Sequence, residues 1–185
     1  MKLPRSVGIV DLAVLFVVTA WILLPPRPMQ ASDAMKGTDA DRFAVAHAEA
    51  KMIADPTHGA KIAELAERLG NAGFRDWAIE AAVEGSARAK GSPNRWRALM
   101  AASVAYVDRL DVHPALEHIN MALSECETHR DACPKWEEVR MDLYRQHLAA
   151  GVNSGIDPRK DPVGFRKAGE SGLRPVRISP TRAPK

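Results

Sequence analysis

The chain has 185 residues, with 26 Lys and Arg against 23 Asp and Glu and a formal net charge of +3. That length holds one domain with a real core once any targeting segment is set aside, and is too short for two full domains. The charge is uneven: residues 1–151 carry 18 basic and 20 acidic side chains and residues 152–185 carry 8 and 3, so the tail attracts acidic surfaces in general without reading nucleic-acid sequence.

Residues 1–6 hold Lys2 and Arg5 and read as a cytoplasmic n-region. Residues 7–24 are apolar apart from Asp11 and stop at Pro25-Pro26. As a helix this run covers about 27 Å, enough for the hydrocarbon core of a bilayer. Two readings stand: an uncleaved transmembrane anchor and a cleaved signal peptide. The small residues suited to cleavage, Ala31 and Ala34, come late after Leu24, and Trp21 sits where an interfacial aromatic would, which favours the anchor. Either way the basic N-terminus stays inside and the body is extracytoplasmic, periplasmic in a bacterium. Asp11 follows Arg5 closely and belongs near the cytoplasmic boundary, hydrated or paired, unless it meets a partner helix in the bilayer.

Residues 25–40, rich in Pro, Ala, Ser and Asp, read as a linker. From Asp41 to Gly151 good helix formers dominate, with punctuation at Asp55-Pro56, Gly70 to Gly73, Gly91-Ser92-Pro93, Asp111 to Pro114 and Cys133-Pro134. The predicted helices span 41–54, 57–71, 74–90, 94–109, 112–127 and 134–150, and their short connections make neighbours antiparallel. Residues 152–185, with five prolines among basic residues and glycines, read as a disordered tail with at most a short turn around Val163 to Ala168. Its charge suits weak binding of anionic envelope polymers.

An offset of 37 residues aligns the apolar positions of successive helix pairs. Ile62, Leu99 and Trp136 coincide; so do Leu65, Ala102 and Val139; Ala66, Ser103 and Arg140; and Leu69, Tyr106 and Leu143. In the second helices Ala78 meets Ala115, Ala82 meets Ile119 and Gly85 meets Ala122, while Val45, Ala48 and Met52 fall opposite Ala82, Gly85 and Ala89. This arrangement of large, apolar and small residues resembles the tetratricopeptide repeat. Leu99, Ala102, Ser103, Tyr106, Ala115, Ile119 and Ala122 match best. The copy beginning at Ile62 is weaker, and a third first-helix carries Arg140 where a small residue belongs.

The resemblance covers residues 41–151 and implies an all-α fold: a short right-handed solenoid of α-hairpins, with one N-terminal transmembrane helix before it and the disordered basic tail after it. Helix 134–150, having no successor, would cap the array, and Trp77, Trp96 and Trp136 would pack in the core or between helices. First helices of such stacks line a concave groove for a peptide or helical segment of a partner. In this register the groove residues are Glu67, Asn71, Arg97, Met100, Val104, Asp108, Glu137, Met141 and Tyr144.

The only cysteines, Cys126 and Cys133, flank a helix joint. In an oxidising compartment a disulfide stapling that joint is the expected state. Zinc held by these thiolates with His129 and one of His113, His118 or His147 is a weaker reading, since only one ligand cluster exists, and free thiols remain the third. No nucleotide-binding, metalloprotease or nucleophile-elbow motif occurs. Glu64 with Glu67, and Glu137 with Glu138, read as solvated helix faces, and His47 and His58 have no ligand-spaced partner. The sequence thus predicts no enzyme and no cofactor. It points to a tethered interaction module scaffolding an envelope complex. The alternatives are an accessory subunit held through its transmembrane helix and a secreted form after signal cleavage.

Overall fold

The computed structural model describes residues 38–173, which form seven helices and, among the described residues, no strand. They are α1 (Asp39–Ala54), α2 (Gly59–Asn71), α3 (Arg75–Arg88), α4 (Arg95–Asp108), α5 (Val112–Thr128), α6 (Lys135–Asn153) and α7 (Pro162–Ser171). The expected n-region, the apolar run 7–24, most of the linker and residues 174–185 lie outside the described residues. Among those described, no helix is long and apolar enough to cross a membrane.

The first six helices fall where propensity and punctuation put them, with ends moved by a turn or less. One such shift has a clear cause. Thr38 donates its backbone N–H to the Asp41 carboxylate at 2.7 Å, satisfying a helix-start donor, so α1 begins inside the segment read as linker. The joints between α2 and α3 and between α4 and α5 are the same turn repeated 37 residues apart. Gly73 and Leu110 both take positive φ, 89° and 64°. Phe74 N–H bonds to Leu69 C=O and Asp111 N–H to Tyr106 C=O, each at 2.9 Å, with Gly73 to Gly70 and Leu110 to Val107 beneath them. Both are the paired bonds that close a helix on a left-handed residue.

Packing follows the chain. α1 lies on α2; α2 on α3 and α4; α3 on α4; α4 on α5; α5 on α6; α6 on α7. In the first two hairpins the residues aligned by the 37-residue offset face a common interior: Ile62 and Leu99, Leu65 and Ala102, Ala66 and Ser103, Ala78 and Ala115, Ala82 and Ile119 are all buried, as are Gly85 and Ala122. Small residues set the helix separation. A Cβ at Gly85 would lie 2.3 Å from Ile62 Cγ2, so only glycine lets α3 come this near α2.

The third copy departs from that register. Trp136 is 63% exposed, and Val139 and Arg140 are also on the surface, whereas Glu137, Met141 and Leu148 are buried. The reason is Arg140. It stands where Ala66 and Ser103 permit close approach, and a guanidinium cannot enter that apolar contact. α6 is therefore turned by about one residue, near 100°, and Met141 fills the interior with Leu99, Ile119 and Cys126. Of the three tryptophans expected inside, only Trp96 is buried. Trp77 is 43% exposed and stacks on Phe74 with ring centroids 4.9 Å apart.

Residues 152–173 are not the unstructured tail the composition predicts. α7 starts at Pro162, with Asp161 accepting from the Gly164 N–H at 2.8 Å. It lies so close to α6 that a Cβ at Gly151 would meet the Phe165 ring at 2.4 Å and one at Gly169 the His147 ring at 2.5 Å. α6 therefore has a successor and is not the cap.

Candidate interaction surface

Side by side, α2 and α4 present one outward face. Glu67 and Asn71 lie one turn apart on α2, and Arg97, Met100, Val104 and Asp108 recur every three or four residues on α4, which aligns them along the helix. Glu67, Asn71, Val104 and Asp108 are exposed, while Arg97 and Met100 are half-buried. The Arg97 guanidinium sits 4.7 Å from the centroid of the buried Trp96 ring. The ring face thus supports the cation at the margin of the surface. Exposed apolar atoms of Val104, the thioether of Met100 and flanking charges make a surface suited to a segment with alternating apolar and charged side chains.

Glu137 and Met141 do not join this face as the spacing predicts, and Tyr144 reaches only its edge. The turn of α6 directs them inward. Met141 is fully buried. Glu137 is buried with its Oε2 2.6 Å from Arg140 Nη2, an ion pair whose angle falls short of a hydrogen bond. Tyr144, half-buried, packs on the core shared by α4, α5 and α6. Burial pushes its hydroxyl up to about 12, the negative charge of Asp108 adds to this, and a hydrogen bond with Ser103 opposes it. Tyr144 thus stays protonated at the edge of the face, beside Asp108.

Cys126 and Cys133 are buried, with Cα atoms 5.3 Å apart and sulfurs at bonding distance. They bridge the last turn of α5 and the residue two before α6. From α4, Trp96 Nε1 donates to Ala132 C=O in the joint at 3.3 Å, and Arg95 pairs with Glu125 in the last turn of α5. His129 is turned to Glu125, 3.9 Å away, rather than sharing a cluster with the sulfurs. Among the described residues no group of three or more His, Cys, Asp or Glu is placed to hold a metal ion.

A furrow between α5 and α6, with a volume of about 630 Å³, was not foreseen. Leu123, Val139 and Leu143 line it. Part of its polar rim is internally paired: Lys135 with Glu138 at 2.8 Å, and Asp142 with Arg145 at 2.6 Å and Gln146 at 2.7 Å. The Arg145 hydrogen bond holds the Asp142 carboxyl below its usual range, burial opposes this and Gln146 assists. The signal for this furrow was Arg140 at a position that demands a small residue. It turns Val139 and Leu143, read as core, toward solvent.

No protein-family model matches the chain, and no match was found among curated proteins or solved structures.

Proposed function

We propose that this chain is a membrane-tethered, extracytoplasmic interaction module of tetratricopeptide-like hairpins, whose α2–α4 face receives a peptide or helical segment of a protein partner and so scaffolds an envelope complex. The observation that carries the reading is the burial of both full copies of the 37-residue pattern, Ile62 with Leu99 through Gly85 with Ala122, together with the identical turns at Gly73 and Leu110. Hairpins that share one interior leave the opposite faces of their first helices free along the stack. With two full copies the face is short, so binding to one partner segment is modest and gains from tethering. The apolar run 7–24 supplies the tether, and a Cys126–Cys133 staple suits an oxidising compartment. The basic tail adds weak attraction to anionic envelope polymers.

In-cell crosslinking from position 104, read by mass spectrometry, identifies the partner. Replacing residues 1–24 with an unrelated anchor should leave that crosslink in place, and the pair V104E and D108K should remove it. The opposite pattern, loss on anchor replacement with no effect of the paired substitutions, assigns the chain instead as an accessory subunit held through its transmembrane helix. A mature N-terminus beginning after Ala31 or Ala34 would make it a secreted protein.

A further inference from the structure

The furrow between α5 and α6 runs up to the point where the described chain ends. On α6, Val139, Leu143, Gln146 and Ala150 follow one another at spacings of four, three and four, one stripe along the helix. The first three line the furrow. The fourth carries the end of α7, where a Cβ at Gly172 would lie 2.1 Å from Ala150 Cβ. The chain therefore leaves α7 on the furrow's own stripe, about one turn of α6 from Gln146. The sequence continues as RPVRISPTRAPK over residues 174–185, with Arg174, Arg177, Arg182 and Lys185 and no acidic residue.

We infer that the chain's own segment 174–179 occupies the furrow as an extended strap, with Val176 and Ile178 on Leu143 and Val139. The reach agrees. An extended chain advances about 3.3 Å per residue and an α-helix about 1.5 Å. Counted from the contact of Gly172 with Ala150, Val176 comes about 13 Å along and Ile178 about 20 Å, while Leu143 and Val139 lie about 10 Å and 16 Å along α6. Each mismatch is within the length of a side chain. Residues two apart in an extended chain share a face, so Val176 and Ile178 enter together and Arg177 turns to the rim. Pro175 and Pro180 flank the pair and oppose a helix there. The rim bears Glu127, Glu138 and Asp142 against Lys135 and Arg145. Both cations are already paired, with Glu138 and Asp142, so the Glu127 carboxylate is the charge left over, and a purely basic segment complements it. Attachment at the furrow's end holds the strap at an effective concentration on the order of millimolar, so a weak contact suffices. Arg182 falls about 33 Å along, beyond Lys135 at about 22 Å, which leaves it and Lys185 free for the anionic polymers.

The test uses the full chain in detergent micelles with photoreactive benzoylphenylalanine at position 139, where Val139 is 38% exposed. Adducts formed on irradiation over a dilution series are mapped by mass spectrometry. The expected product is an intramolecular adduct to residues 174–180, in the same yield at every dilution. V176D/I178D should lower that yield by more than about tenfold with unchanged far-UV circular dichroism, because both substitutions lie outside the helical body. The same probe at position 166, closer in sequence to the tail but on the exposed side of α7, should capture much less of it. Adducts to detergent alone, or to any segment other than 174–185, overturn the proposal. So does a yield indifferent to V176D/I178D or equal from the two probe positions. A tail adduct that disappears on dilution assigns the furrow to the tail of a second copy, and the strap within one chain is then wrong.

Discussion

Gly85 and Ile62 meet where Ala122 and Leu99 pack together 37 residues later, and the difference between the two pairs can be turned into a measurement. A methyl group added at Gly85 would stand 2.3 Å from Ile62 Cγ2 and 3.0 Å from Cγ1, against about 3.5–4.0 Å for carbon atoms in contact. Ile62 is 1% exposed and has nowhere to retreat, so overpacking of this kind costs about 1–3 kcal/mol. Alanine in a helix interior returns about 1 kcal/mol relative to glycine. G85A alone should therefore destabilise the fold by about 1 kcal/mol net. In the second hairpin the β-branched isoleucine is replaced by leucine, whose Cβ bears one carbon fewer, and there an alanine, Ala122, packs in the same cluster as Leu99. Transplanting that solution should work: in an I62L background G85A becomes neutral or stabilising. A double-mutant cycle from urea unfolding, followed by far-UV circular dichroism, should give a coupling of about 1 kcal/mol or more in favour of the pair. Additive single effects, or a stabilising G85A by itself, would falsify the claim that one packing scheme recurs at the 37-residue offset.

The repeated turn makes two opposite predictions from one conformation. G73A should lower stability by about 1 kcal/mol because alanine resists positive φ, and L110G should raise it by about 0.5–1 kcal/mol because Leu110, 39% exposed, has little packing to lose; thermal unfolding of the two variants reads the signs. C126S/C133S opens an eight-residue loop and should cost about 2.5 kcal/mol on the chain-entropy model, with the same loss when the wild type is unfolded in dithiothreitol; no loss would mean that the disulfide does not constrain the joint. Tyr144, whose hydroxyl is pushed up to about 12 in the fold against about 10 in an unfolded chain, contributes stability that is complete below pH 10 and is lost as pH rises toward 12. The difference between wild type and Y144F should shrink over that window by about 2–3 kcal/mol, and a difference flat across it would show the hydroxyl to be solvated.

The parts of the fold that could be read in advance are those where size at one position is tightly constrained. Ala66 with Ser103, and Ala78 with Ala115, recur as small residues because helices cross there, and all four are buried. Spacing reports a period, and it does not report a phase when two stripes compete. α6 carries one stripe through Trp136, Val139 and Leu143 and another through Met141, Tyr144 and Leu148, and periodicity alone cannot choose between them. The cost of burying Arg140 makes the choice, which moves Glu137, Met141 and Tyr144 out of the expected groove and opens the furrow beside Leu123. α7 was illegible for a different reason. Pro162, Gly164, Gly169 and Gly172 give it poor intrinsic propensity, and it forms because Gly151 and Gly169 let it lie against α6, a tertiary effect that no local window contains.

The two ends of the stack are consequently unlike, and the difference bears on assembly. At the C-terminal end the register is broken: Arg140 blocks the close-approach site on α6, and α7 covers the face of α6 that carries His147, Ala150 and Gly151. Among the described residues, no surface there repeats the pattern that joins α2 to α4. At the other end α1 keeps the inward register through Val45, Ala48 and Met52 and also carries an outward apolar stripe, with Phe43 and Ile53 exposed on it. The outer face of α7 exposes Arg166, Lys167 and Glu170, with one apolar side chain, Val163, beside them. The two ends of the described region therefore present different surfaces, and setting one against the other would not reproduce the contact that joins α2 to α4.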